Sequence, residues 1–150
     1  VCCTWASHLE CLLHGVNPYK LKEKILEGKS ISLCFPEHRI VSSAIVGGIA
    51  PIATGIAGSI KRNGFSNYVW CFVGDMSFLH ASTQESIRYA HTFDLPIMFI
   101  VGDNGLSVQT PTKAALPGNL KESVEAWPNC IYYQYTNTWP HSGCGKKVLF

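Results

Sequence analysis

The sequence predicts one α/β domain, residues 1–150, with a mainly parallel sheet flanked by helices, and three observations predict it. Two short apolar runs, Tyr68 to Val73 and Ile97 to Val101, suit strands buried on both faces of a parallel sheet. Between them Ser77 to Phe93 has helical character, which makes a strand–helix–strand crossover. The composition, 150 residues with 47% hydrophobic and 15% charged, supports one packed core. It is unlike that of a disordered, collagen-like or coiled-coil chain.

Taken in order, Thr4 to His14 reads as a helix with Leu9, Leu12 and Leu13 on one side and Gly15 closing it. Pro18 to Glu27 reads as a second, with Pro at its start, Leu21, Ile25 and Leu26 as its apolar face, and Gly28 after its end. The 21 residues from Ile40 to Ile60 carry no charge, a length that would allow a membrane span and hence a membrane-anchored fragment. Ser42-Ser43, Gly47-Gly48 and Pro51 argue instead for an extended piece (Ile40 to Val46), a turn, and a helix from about Pro51 to Arg62. After the crossover unit, Cys130 to Tyr135 reads as a third strand, more polar and nearer an edge.

The net charge is +2, from 12 basic and 10 acidic residues, and the longest basic runs are the pairs Lys61-Arg62 and Lys146-Lys147. Neither a nucleic acid nor an anionic membrane is indicated as a partner. Seven cysteines without a spacing framework, with Cys34 and Cys71 in apolar context, read as small buried hydrophobes of a reducing compartment, the cytoplasm. The first residue is Val and no basic stretch precedes an apolar one, so no signal peptide is expected and the chain reads as truncated from something longer.

In an open parallel sheet, ligands sit outside the carboxyl ends of the strands. Those ends carry Gly74-Asp75 and Gly102-Asp103-Asn104-Gly105. Asp75 and Asn104 are 29 positions apart, yet adjoin if the strands are neighbours. A carboxylate and a carboxamide oxygen are hard ligands for Mg²⁺ or Ca²⁺, and a backbone carbonyl near Leu106 would complete the set. A helix beginning near Ser77 would aim free amides at the same place, which favours phosphate. These residues read as a metal-bridged diphosphate site. They equally allow Asp75 as a plain helix cap and Asn104 in a tight turn with Gly105.

The order Gly74-Asp75, Glu85-Ser86, Leu95-Pro96 and Asp103-Asn104 resembles the thiamine-diphosphate signature of the alpha subunits of pyruvate-dehydrogenase-type 2-oxo acid dehydrogenases. The resemblance runs from about residue 4 to 112, through Ser7-His8 with Gly15, Ser42 to Gly48, Pro51, Ala53, Gly55, Lys61 and Thr110-Pro111-Thr112. It implies the thiamine-diphosphate-binding fold, with Mg²⁺ held by Asp75, Asn104 and the Leu106 carbonyl. Gly74 opens the motif, the Met76 and Ser77 amides face the diphosphate, and Val46, with Ala44 nearby, meets the aminopyrimidine through the main chain. The implied reaction is decarboxylation of a 2-oxo acid, with transfer to an acceptor such as a lipoyl group. A beta-type subunit or second α/β domain, in a homo- or hetero-oligomer, would supply the activating glutamate, which no Glu here matches.

The departures point to the alternative of a non-catalytic scaffold of the same fold. Met76 stands at the third position of Gly-Asp-Gly, Asp103 replaces the first Asn of Asn-Asn, and Trp5-Ala6 occupies the place of an aromatic-Arg pair. Gly28 to His38 holds no Gly-Gly-Ser-Met-His run, with His38 at most a remnant. Elsewhere His80 and His91, 11 apart on one predicted helix, are too distant for one metal and suit surface or packing roles. His141 and Cys144 lack a third orienting group for nucleophilic chemistry, and Cys2-Cys3 lacks the spaced partners of a zinc site. Trp5, Trp70, Trp127 and Trp139 read as core or interface aromatics. Glu10, Glu85, Glu122 and Glu125 read as solvated or capping carboxylates, with Glu85 also placed for a subunit contact. No Gly-x-Gly-x-x-Gly follows the first clear strand, so a nicotinamide site is not indicated.

Overall fold

The computed structural model describes residues 1–115, 118–140 and 144–147. Among them the strands are β1 (Cys2–Cys3), β2 (Cys34–Phe35), β3 (Ile40–Ser42), β4 (Val69–Gly74), β5 (Ile97–Asp103), β6 (Leu106–Ser107), β7 (Thr110–Pro111) and β8 (Cys130–Gln134). The helices are α1 (His8–Leu13), α2 (Pro18–Leu26), α3 (Ile49–Arg62), α4 (Asp75–Leu79), α5 (Ala81–Thr92), α6 (Thr112–Ala115) and α7 (Leu120–Glu125). Six strands form one sheet in the order β2-β3-β1-β4-β5-β8. Every neighbouring pair is parallel except β2–β3. This is the expected α/β architecture, and β6 with β7 adds a small separate hairpin.

Local chemistry explains the boundaries. The Asn17 side chain accepts from the Tyr19 N–H at 2.8 Å, and Pro18 occupies the first position of α2, where a missing N–H costs nothing. In α3, Ala50, Ala53 and Ala57 are fully buried, and their small side chains bring the helix close to the sheet. They meet Cys71, Val73, Phe99 and Val101 in one core that α5 and α7 complete with Ile87 and Val124. Pro51 lies within the first turn of α3, which begins at Ile49.

Several expectations are corrected. Ser77 to Phe93 is two helices, because His80 is extended (ψ 135) and its ring accepts from the Ser82 N–H at 3.3 Å, capping α5. Ile40 to Val46 is a strand only as far as Ser42. On α1 the buried residue is Cys11, while Leu9, Leu12 and Leu13 are exposed; on α2 only Leu21 is buried. β4 is buried on one face only: Val69, Cys71 and Val73 are covered, whereas Trp70 is 43% exposed. Cys34 is exposed, while Cys71 is buried as expected. Cys2-Cys3 is a strand between β3 and β4. Among the described residues no helix is long and apolar enough to cross a membrane.

Candidate functional site

Gly74 pairs with Gly102 at the carboxyl ends of β4 and β5, so the residues that follow each glycine share one rim. There Gly74, Asp75, Met76, Ser77, Asn104 and Leu106 line a single cavity of about 120 Å³, joined by Val46 from the loop before α3. Ala44 lines an adjoining cavity of about 810 Å³ with Val46, His8 and Val108, and Trp5-Ala6 border both. The loop that carries Val46 is held by Ser82, whose hydroxyl donates to the Gly47 carbonyl at 2.8 Å. Gly47 has φ +72, and a Cβ there would lie 2.4 Å from His80 Nδ1, so only glycine fits this close approach.

Asp75 is 4% exposed, the first residue of α4, with both oxygens engaged. Oδ1 accepts from the Met76 N–H at 2.7 Å, and Oδ2 accepts from the Thr112 hydroxyl at 2.6 Å. Its carboxyl is pushed above the ordinary range, first by burial; the two hydrogen bonds oppose that shift, and the adjacent Asp103 carboxylate adds to it. Asp103 is itself buried and satisfied: Oδ1 accepts from the Gly105 N–H at 2.8 Å and Oδ2 from the Tyr132 hydroxyl at 2.7 Å. Burial, reinforced by that carboxylate, pushes the Tyr132 hydroxyl up to about 12, so it remains a donor.

Asn104 Oδ1 accepts from the Leu106 N–H at 3.0 Å, and its Nδ2 donates to the Tyr135 hydroxyl at 3.3 Å and to Asn137 Oδ1 at 3.4 Å. The amide is thereby oriented, its carbonyl oxygen on the Leu106 side. Leu106 faces Pro111 across the hairpin, and because the Thr112 N–H is bonded to the Gly105 carbonyl, Leu106 and Pro111 are a non-hydrogen-bonded pair whose backbone groups turn away from each other.

The rim thus sets one carboxylate and one carboxamide oxygen beside a small cavity, with Leu106 in its lining. Each Asp75 oxygen accepts one donor and keeps a lone pair, and so does Asn104 Oδ1. Such a donor set suits a hard divalent cation that draws its other ligands from phosphate and water. The residues present fit the implied metal. One expectation is modified: the Met76 N–H is already taken up by Asp75 rather than standing free toward a diphosphate.

Sequence reasoning did not find Thr112, Tyr132 and Tyr135 as parts of this network. Thr112 entered only as part of the Thr110-Pro111-Thr112 run, and Tyr132 and Tyr135 only as members of the expected strand Cys130 to Tyr135. The other candidates fall elsewhere. His80 caps α5, and His91 meets Trp127 edge-on at 6.0 Å. Glu85 pairs with Arg88, and Glu122 accepts from Asn119 at 2.7 Å in the first turn of α7. Glu10 is not a simple solvated carboxylate: burial raises it, and its buried Oε2 has no partner among the described residues. His141 lies outside the described residues.

Comparison with known proteins follows the same outline. The family model for the dehydrogenase E1 component matches residues 8–120. The pyruvate dehydrogenase E1 component subunit alpha of Rickettsia prowazekii is 27% identical over 117 residues, covering 71% of this chain and 36% of that protein. The mitochondrial 2-oxoisovalerate dehydrogenase subunit alpha of Homo sapiens is 27% identical over 86 residues, 57% of this chain and 19% of that protein. A solved structure from Mycobacterium smegmatis, of a proposed thiamin diphosphate-dependent enzyme, is 25% identical with a TM-score of 0.47, covering 59% of this chain and 18% of that one. The chain therefore spans 36% or less of the length of each of these relatives.

Proposed function

Because this chain belongs to the dehydrogenase E1 component family, we propose that it holds thiamine diphosphate through Mg²⁺ as the alpha-type part of a 2-oxo acid dehydrogenase. The observation that carries this reading is the convergence of Asp75, Asn104 and Leu106 on one rim cavity. At about 120 Å³ this cavity is much smaller than the adjoining one of about 810 Å³. The rest of the ligand then extends along Val46 toward Ala44 and the adjoining cavity, with Gly74, Met76 and Ser77 on the diphosphate side.

When bound, thiamine diphosphate would supply the carbanion chemistry needed to decarboxylate a 2-oxo acid. The residues of this chain bind and orient: Asp75, Asn104 and Leu106 hold the cation, and main-chain groups at Val46 and Ala44 meet the aminopyrimidine. A beta-type subunit or second α/β domain supplies the activating glutamate and completes an oligomer. Cysteines that are free throughout the described residues support a reducing compartment such as the cytoplasm.

A second reading, a cofactor-free scaffold of the same fold, is favoured by Ala6 beside the cavity, where a cationic partner for phosphate is missing, and by the engaged Met76 N–H. Thermal unfolding with thiamine diphosphate and Mg²⁺, with and without EDTA and a beta-type partner, separates the two. Cofactor at a hundred times its Kd stabilises the folded state by about 2.7 kcal/mol. We expect a shift that EDTA abolishes and that Asp75→Ala removes. No shift at millimolar cofactor with the partner present establishes the scaffold instead.

A further inference from the structure

We propose that Thr112 is a positioning residue that ties the two oxygen-bearing strand tips together and sets the spacing of the metal ligands; this rests on the Mg²⁺ reading above. Thr112 is 5% exposed and lies 37 positions after Asp75. Its hydroxyl grips the first tip, donating to Asp75 Oδ2 at 2.6 Å. Its main chain grips the second, donating from N–H to the Gly105 carbonyl at 3.0 Å. Gly105 in turn donates to Asp103 Oδ1 and sits between Asn104 and Leu106. One residue therefore spans both ligand-bearing segments, and the β6–β7 hairpin, with Leu106 opposite Pro111, is what returns the chain to this point.

The physical reason for a hydroxyl follows from carboxylate geometry. Rotation about the last torsion of an aspartate is soft. Two donors on two different oxygens, Met76 N–H on Oδ1 and Thr112 Oγ1 on Oδ2, fix the plane of the group. Removal of the Thr112 hydroxyl takes the second donor from Asp75, leaving the Met76 N–H and the neighbouring Asp103 carboxyl as its contacts, while the backbone pairing of Gly74 with Gly102 still joins the two tips. Serine preserves the donor without the methyl group; valine preserves the shape without the donor.

The test compares wild type, Thr112→Ser and Thr112→Val, each with its beta-type partner, using Mn²⁺ with thiamine diphosphate as an EPR probe and amide exchange by NMR on the metal-free protein. Thr112→Val should weaken Mn²⁺ binding by roughly tenfold or more, while Thr112→Ser stays within about threefold of wild type. In the metal-free protein Thr112→Val should speed exchange at the Met76 amide, which is bonded to Asp75, and leave the Leu106 amide, bonded to Asn104, unchanged. Unaltered Mn²⁺ affinity in Thr112→Val overturns the proposal, as does equal weakening in both variants, which would make the residue a packing element. If wild type itself binds no Mn²⁺, the metal reading fails separately. Exchange at Met76 then decides the tie alone: acceleration in Thr112→Val upholds it, and no change sinks it.

Discussion

The two faces of the main sheet are built from the same strands and are covered very differently. On one face Val69, Cys71, Val73, Ile97, Phe99 and Val101 are buried under α3, α5 and α7. On the other, Cys3 is fully buried, but farther along Trp70, Ile131 and Tyr133 are 43–44% exposed, and Phe72, Met98 and Ile100 are half-buried. Residues of similar apolar character thus differ in how much water they lose. The lesson is that an apolar residue stabilises in proportion to the area it removes from water, so the helix layer, not the strand sequence, makes one face the core.

The largest expected effect breaks that contrast from the covered side. Phe99→Ala, at a position with 0% exposure in a strand flanked by two others, should cost about 3–5 kcal/mol in urea unfolding. A loss below about 1 kcal/mol would mean that the α3 side is not the core.

The second prediction concerns charge at the edge of the covered core. Burial raises the Asp75 carboxyl, so the folded chain holds that proton more tightly than the unfolded one. The resulting stability is fully present below the unfolded value of about 3.9 and is lost as pH rises through the higher folded value. At neutral pH the ionised group is a net cost. Asp75→Asn should therefore stabilise the metal-free chain at pH 7 by about 1 kcal/mol, remove part of the fall in stability above pH 4, and abolish any Mg²⁺-dependent shift. Unfolding at several pH values checks it; a less stable Asp75→Asn at pH 7 contradicts it.

Smaller still is the effect on the open face. Trp70→Ala loses a half-exposed ring that meets Tyr68 at 5.5 Å and should cost under about 1.5 kcal/mol, well below the Phe99 value in the same assay. Equal losses at Trp70 and Phe99 would show that a further layer covers this face. Thiol labelling sharpens the comparison without perturbing stability. Cys34 should react in the native state, whereas Cys71, buried with its thiol pushed up, should react slower by roughly a thousandfold or more, at the rate that opening allows.

Much of the fold is legible in local pattern. The runs that became β4 and β5, the helical stretch between them, Pro18 with Gly28 around α2, and the glycines that interrupt Ile40 to Ile60 each act over a few residues, within reach of periodicity and turn chemistry. Cys2-Cys3 is not legible, because two residues have no period. It is a strand only because Cys2 aligns with Val41 on one side and Cys71 on the other. Leu9, Leu12 and Leu13 mislead for the opposite reason: they form an apolar cluster that the structure leaves exposed. At the site, Asp75, Asn104 and Leu106 were readable as residues that follow strand ends. The roles of Thr112, Tyr132 and Tyr135 were not, since the side chain of each reaches the site by a hydrogen bond with a residue 29 to 37 positions away.

By itself the sequence determined the α/β class, the crossover unit and the chemical types at the two strand tips, because side-chain period, glycine and proline act locally. Only the tertiary structure decided which face is core, where Cys2-Cys3 belongs, and that Asp75 and Asp103 share a buried rim braced by Thr112 and Tyr132. Those outcomes depend on which distant segments meet and on which charges lose water together, quantities that exist only once the chain has closed.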